Sequence, residues 1–124
     1  MIAVDTSTLI AYLADDAGRD VDALDLALAQ REVCLPPAVV TEILSAPGDS
    51  EGLARLILAL PALEISDGFW ERAGRVRREL RARKLRAPLA DALICQSCLD
   101  HGVPLLTRDG DFQAFATHCG LQLA

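Results

Sequence analysis

Short apolar runs separated by helix-length patterns recur along the chain. "MIAVD" at 1–5, "EVCLP" at 32–36, "ALEIS" at 62–66, "VPLLT" at 103–107 and the closing "LQLA" at 121–124 have strand length and strand-like composition. Between them the period changes to that of a helix. Val21, Leu24 and Leu28 fall at i, i+3 and i+7, with Asp22 and Asp25 on the other side; Leu53, Leu56, Ile57 and Leu60 repeat the pattern. Pro37, Ser50 and Pro88 stand where helices can begin, and Gly102 where one can stop. Strands alternating with helices predict an α/β domain with a parallel sheet and helices on both faces, because parallel strands need a crossover and crossovers are right-handed.

One side chain breaks the pattern. In "PLADALICQSC" (88–98), Asp91 lies in the first turn of a predicted helix or just past it, among Leu89, Ala90, Ala92, Leu93 and Ile94. A helix amino terminus favours a carboxylate by about 1 kcal/mol, less than burial of an unpaired charge costs. Glu42 in "AVVTEILSA" repeats the oddity near the front of another predicted helix. Two further acids follow strands: Asp5 ends the first, and Asp109 follows "VPLLT". Capping of the next helix is the plain reading of either one. In a parallel α/β layer, however, strand ends and helix beginnings share one side of the sheet, and sites form there where the strand order reverses. If the four acids converge, pairs about 5 Å apart repel by roughly 3 kcal/mol at an effective dielectric of 20. A divalent cation relieves that repulsion, and oxygen-only ligands select Mg²⁺ or Mn²⁺ over zinc.

Composition narrows the classes. A length of 124 residues with 52% hydrophobic content suits one domain over 1–124 with a proper core. Apolar runs fall far short of the roughly 18 residues of a membrane span, and the strand-like start lacks a basic region and a cleavage site, so a soluble, cytoplasmic chain with no membrane contact is expected. Cys34, Cys95, Cys98 and Cys119 are too sparse for a disulfide framework; Cys95 and Cys98 have metal-like spacing without a second pair and read as small core residues. The net charge of −6 is unevenly spread: residues 72–86, "RAGRVRRELRARKLR", hold eight of the twelve basic residues and one acid, +7 against −13 elsewhere. Arginine at this density suits phosphate contact.

The ordered motifs "VDTSTLIAYL", "VVTEIL", "PLADALI" and "LLTRDGDF" resemble the PIN-domain nucleases from the first residue to the last, and the single-domain length is similar to that of the VapC toxins of bacterial toxin–antitoxin pairs. The resemblance implies a five-stranded parallel sheet of order 3-2-1-4-5. It also implies Mg²⁺- or Mn²⁺-dependent cleavage of single-stranded RNA, homodimerisation and inhibition by a small antitoxin. Asp5, Glu42, Asp91 and Asp109 match the family's acidic quartet, with Asp5, Asp91 and Asp109 as metal ligands and Asp111 as a substitute or additional one. Thr6, Ser7 and Thr107 are candidates to orient carboxylates or water. Arg75, Arg78, Arg81, Lys84 and Arg86 of a predicted 72–86 helix, with Arg108 beside the site, are the candidate RNA-binding residues. Water as the nucleophile, positioned or deprotonated at Glu42, leaves 5′-phosphate and 3′-hydroxyl ends. Three Phe, one Trp and one Tyr leave little for base stacking, so sequence preference is expected from RNA shape and polar contacts.

Two other readings fit parts of the pattern. His101 and His118 as an acid–base pair would act without metal, but each sits where a histidine has a plain structural role. A non-catalytic Mg²⁺-binding receiver-like domain would carry an acidic pair ahead of an Asp that follows a middle strand, whereas the first strand here ends in the single Asp5; an RNA-binding domain without catalysis would not need all four acids. A phosphatase with an aspartyl nucleophile would want a second Asp where Ser7 stands.

Overall fold

The structure is a computed structural model that describes residues 1–48 and 51–124. The chain runs β1 (Ile2–Val4), α1 (Thr6–Leu13), α2 (Arg19–Ala29), β2 (Val33–Cys34), α3 (Pro37–Leu44), α4 (Glu51–Ala59), α5 (Phe69–Ala82), α6 (Leu89–His101), β3 (Leu105–Leu106) and α7 (Phe112–Cys119). The predicted helix start at Ser50 lies outside the described residues.

The three strands form a parallel sheet of order β2-β1-β3, with Ile2 opposite Val33, Ala3 opposite both Cys34 and Leu105, and Val4 opposite Leu106. From β1 the chain crosses one way to β2 and then back past β1 to β3. Right-handed crossovers send those two connections to opposite faces. The order therefore reverses at β1 and β3, and their carboxyl ends lie side by side: the Asp5 N–H donates to the Leu106 carbonyl at 2.9 Å.

Three strands, not five, make up the sheet among the described residues. The two predicted outer strands are reduced to single parallel bridges, Ala62 on Leu35 and Leu123 on Leu105. Their partners explain it. Pro36 and Pro37 follow Leu35 and start α3, so β2 has no further N–H to offer; Pro104 limits β3 in the same way.

Helix ends follow local rules. Gly102 adopts φ +62°, and the bonds Val103 N–H to Cys98 O and Gly102 N–H to Leu99 O close α6 in a Schellman turn, where the sequence predicted a stop. The predicted 72–86 helix ends earlier, at Ala82. Lys84 takes the left-handed position (φ +59°), Leu85 N–H bonds to Leu80 O, and residues 83–88 form a loop into α6. That loop is braced by Arg77, whose Nε donates to the Ala87 carbonyl at 2.8 Å.

The core is built on the sheet from Ala3, Val4, Leu9, Leu24, Leu35, Ile43, Ile94 and Leu105, with Phe112 and Phe115 fully buried. Cys34, Cys95 and Cys98 are buried among them as free thiols, the small-core role expected of the CxxC pair. Burial pushes the Cys98 thiol up to about 12 and raises Cys95 further, so neither thiolate forms readily. α5 packs on α6 and buries Phe69, Ala73 and Leu80. Arg72 pins the two helices together with a bidentate pair to Asp100, at 3.0 and 2.7 Å. No helix of the described residues is long and apolar enough to cross a membrane.

Candidate metal centre

The carboxyl ends of β1 and β3 and the first turn of α6 meet at one place. Asp5 has extended backbone and precedes α1, but its carboxylate caps no helix N–H. Instead it is 4% exposed, and its Oδ2 accepts from the hydroxyls of Ser7 at 2.8 Å and Thr107 at 2.9 Å. Two donors on one oxygen fix the carboxylate's orientation. Thr107 also accepts the Asp109 N–H at 3.0 Å, so one hydroxyl couples the ends of both strands.

Asp91 is the third residue of α6, within its first turn, and 8% exposed. No hydrogen bond to its carboxylate is found among the described residues. Its pKa is pushed up to about 7, first by burial and then by the charges of Asp109, Asp5, Asp111 and Glu42, in that order. The helix dipole is outweighed. All four neighbours that act on Asp91 are acids, so these five carboxyl groups share one local field.

Within that field the tightest group is Asp91, Asp109 and Asp111, each offering a carboxylate oxygen within 4.8 Å of the others. Asp111, the alternative to Asp109 in the sequence, thus joins it. Asp109 has a local bond as well: its Oδ1 accepts the Asp111 N–H at 2.9 Å and shapes the turn into α7. Asp111 receives Arg86 Nε on Oδ2 at 3.0 Å. Asp5 lies outside this trio but within reach of its electrostatics.

Glu42 differs from expectation in one respect. α3 begins at Pro37, so Glu42 is six residues into an eight-residue helix, past its front. It still turns to the cluster, where Thr6 Oγ1 donates to its Oε1 at 3.0 Å. Thr6, Ser7 and Thr107 therefore each serve an acid of the cluster.

The basic residues divide. Arg75, Arg78, Arg81 and Lys84 are exposed and make no ion pair among the described residues. Arg108 is held by Asp20, Nε to Oδ2 at 2.8 Å and Nη2 to Oδ1 at 2.9 Å. The Arg108 guanidinium, with the Thr8 hydroxyl, holds the Asp20 carboxyl down at about 2 despite its burial. Asp20 drew no attention in the sequence, where it reads as one more first-turn acid of α2. His101 bonds through Nε2 to the Glu64 carbonyl at 2.8 Å, ten residues along α6 from Asp91 and so about 15 Å away at 1.5 Å per residue.

The donor set fits a hard divalent cation: carboxylate oxygens alone, close together, mutually repelling and reinforced by hydroxyls behind them. Thiolate or imidazole ligands are absent from the cluster, which disfavours zinc.

Similarity to known proteins agrees with this arrangement. The PIN-domain family model matches residues 2–117. The VapC ribonuclease Mb1587 of Mycobacterium bovis and the ribonuclease VapC11 of Mycobacterium tuberculosis are each 32% identical to this chain over 135 aligned positions, covering all of it and 98% of their own length. Among solved structures, VapBC2 from Rickettsia felis bound to a promoter DNA fragment superposes with a TM-score of 0.78 at 18% identity, covering 100% of this chain and 98% of that one. FitAcB from Neisseria gonorrhoeae gives 0.70 at 18% identity, covering 99% and 96%. At those identities the solved structures show the fold alone, whereas the family model and the full-length relatives reach further. With Asp5, Glu42, Asp91 and Asp109 gathered around the ends of β1 and β3, the chain belongs to the PIN-domain family, in its VapC group.

Proposed function

We infer that the protein is a Mg²⁺- or Mn²⁺-dependent endoribonuclease that hydrolyses single-stranded RNA in the cytoplasm as the toxin of a toxin–antitoxin pair. The observation that carries this is Asp91, a buried carboxyl grouped with Asp109 and Asp111, whose charged neighbours are all acids and whose pKa is raised to about 7. A protein keeps such a destabilising constellation where a cation will occupy it. The ribonuclease names of the full-length relatives support the substrate class.

Asp91, Asp109 and Asp5, with Asp111, would hold the ion. Bound there, Mg²⁺ or Mn²⁺ supplies the positive charge that neutralises the carboxylates and polarises a phosphodiester. The chain's own residues do the rest. Ser7 and Thr107 hold Asp5 in one orientation. Glu42, steadied by Thr6, positions a water in line with the scissile bond and accepts its proton. The phosphorus–O3′ bond breaks as the water oxygen bonds to phosphorus, and the departing O3′ takes a proton from solvent, leaving a 5′-phosphate on one product and a 3′-hydroxyl on the other. Arg75, Arg78, Arg81 and Lys84 contact the RNA backbone, and Arg86 joins them when a phosphate or an ion competes for Asp111. Arg108, paired to Asp20, steadies the turn after β3.

Homodimerisation and an antitoxin complete the reading. Ile10 and Leu13 on α1 and Leu26 on α2 are exposed apolar side chains that suit a self-association surface.

The test is cleavage of a mixed-sequence single-stranded RNA by the purified protein, with product ends mapped. Cleavage is expected only with Mg²⁺ or Mn²⁺, giving 5′-phosphates, and is lost in Asp5→Asn and Asp91→Asn. Activity that survives EDTA, or cyclic phosphate ends, would overturn the mechanism.

A further inference from the structure

Trp70 stands on a ridge between two troughs. It is the single tryptophan of the chain, the second residue of α5, and 59% exposed. On one side an apolar trough of about 370 Å³ runs past Ile65 and Ala90 to Glu42 of the acidic cluster. On the other, a trough of about 260 Å³ is walled by Arg77, Arg78 and Arg81 of α5 and by Leu89 and Ala92 of α6, the helix whose first turn holds Asp91. Both troughs share Trp70, Leu89 and Leu93.

The helix period explains how one stripe of α5 acquires this character. Trp70, Gly74, Arg77 and Arg81 fall at i, i+4, i+7 and i+11, so an aromatic ring, a bare backbone and two guanidiniums share a face. Gly74 is the informative member. Its φ is not positive, and a Cβ built on it would meet no atom within 4 Å. Nothing inside the protein demands glycine there, and glycine inside a helix is unfavourable. Its effect is to leave the floor of the basic trough open.

An exposed indole beside a trough lined with arginines, continuous through its other side with an acidic cluster, is complementary to one class of ligand: an unpaired nucleotide, whose base has a π face and whose phosphate is anionic. The Phe69 ring meets Trp70 edge to face, at 4.9 Å between centroids and 87° between planes, which steadies the indole. The geometry points to Trp70 as the stacking platform for a base of the RNA near the scissile phosphate, with the adjoining phosphate on Arg78 and Arg81 across the Gly74 floor. The inference rests on the ribonuclease reading for its substrate and adds to it a residue that selects and positions the strand. The scarcity of aromatics in the composition suggested that stacking has little part; one ring in this place is sufficient for a single base.

Because Trp70 is the only tryptophan, its fluorescence reports directly on the site. The probe is a single-stranded RNA of about 12 nucleotides, within the range of sites on single-strand binders, added to the Asp91→Asn protein so that it is not cut. Saturable quenching of the indole is expected with RNA. Inorganic polyphosphate should displace the RNA without quenching. In the otherwise wild-type protein, Trp70→Ala should raise KM for cleavage about tenfold with kcat little changed, and Trp70→Tyr should restore most of the affinity. Gly74→Leu should weaken RNA binding while the melting temperature stays the same or rises. RNA binding measured by anisotropy with no change in indole fluorescence, together with normal cleavage by Trp70→Ala, overturns the proposal. So does quenching that only a protein partner elicits. If RNA quenches the indole and Trp70→Ala weakens its binding, but no divalent ion supports cleavage by the wild type, the stacking site stands and the nuclease reading falls.

Discussion

Replacing Asp91 by asparagine should stabilise the ion-free protein, and the gain should grow with pH. An unfolded aspartate titrates near 3.9, whereas Asp91 in the fold is raised to about 7. Between those values the unfolded chain has lost its proton and the folded one retains it, so stability falls as pH rises through this window. The contribution of Asp91 is most favourable below about pH 4 and is lost by the time the pH passes about 7. A difference of roughly 3 pKa units corresponds to about 4 kcal/mol in total, of which roughly 2–3 kcal/mol develops between pH 5 and pH 8. Asparagine has nearly the same shape and no charge, so the wild-type minus Asp91→Asn difference isolates this titration from every other group. In a domain of this size 1 kcal/mol shifts Tm by about 3–6 °C. Thermal melts in EDTA at pH 5, 6, 7 and 8 should show the variant gaining on the wild type by roughly 6–18 °C across the series. Saturating Mn²⁺ should reverse the order at pH 7, raising the wild type more than the variant. A gap that stays constant from pH 5 to 8, or an equal Mn²⁺ shift in both proteins, would refute the reasoning.

Three further outcomes follow from particular contacts. Ser7→Ala and Thr107→Val each remove one hydroxyl from Asp5 Oδ2, and each should weaken Mn²⁺ dependence or cleavage about 10- to 100-fold, read as a higher half-saturating Mn²⁺ concentration with the fold intact by circular dichroism. Arg78→Gln and Arg81→Gln should weaken RNA binding at low salt and make its log–log salt dependence shallower by about 0.7 per lost phosphate contact; an unchanged slope would remove these residues from the RNA interface. Cys95 and Cys98 should resist a thiol-reactive disulfide at pH 8 in the native protein, because burial keeps both thiols protonated, and should react fully after denaturation. Fast labelling of either thiol in the native state would contradict their place in the core.

Much of the centre was legible because strand ends and the odd carboxylate are local signals. "MIAVD" and "VPLLT" carry short aliphatic runs that stop at an acid or just before one, and Asp91 stands out against its apolar neighbours. The outer strands were not legible. "ALEIS" and "LQLA" have the composition of strands, but strand length depends on what the neighbour can pair, and prolines at 36, 37 and 104 limit β2 and β3 to two residues each. The end of α5 at Ala82 was hidden for a related reason. Arg83 and Lys84 are good helix formers, yet Lys84 takes the left-handed turn that lets the chain reach Pro88 and start α6. The depth of Glu42 in α3 follows from Pro37 fixing the first turn, which moves the acid to the second. Trp70 and Gly74 went unnoticed because an aromatic and a glycine in a run of arginines look like noise until their helical spacing is counted.

The central claim is that acids brought together from β1, α3, α6 and the turn after β3 share a divalent cation. The most direct test is a crystal structure of the Mn²⁺-loaded protein with anomalous data collected at the manganese edge. An anomalous peak bonded to carboxylate oxygens of Asp91 and Asp109 is expected, with Asp5 or Asp111 completing the protein's ligands, and it should be lost in Asp91→Asn. Manganese found only on scattered surface acids, or retained at the cluster when Asp91 is asparagine, would contradict it.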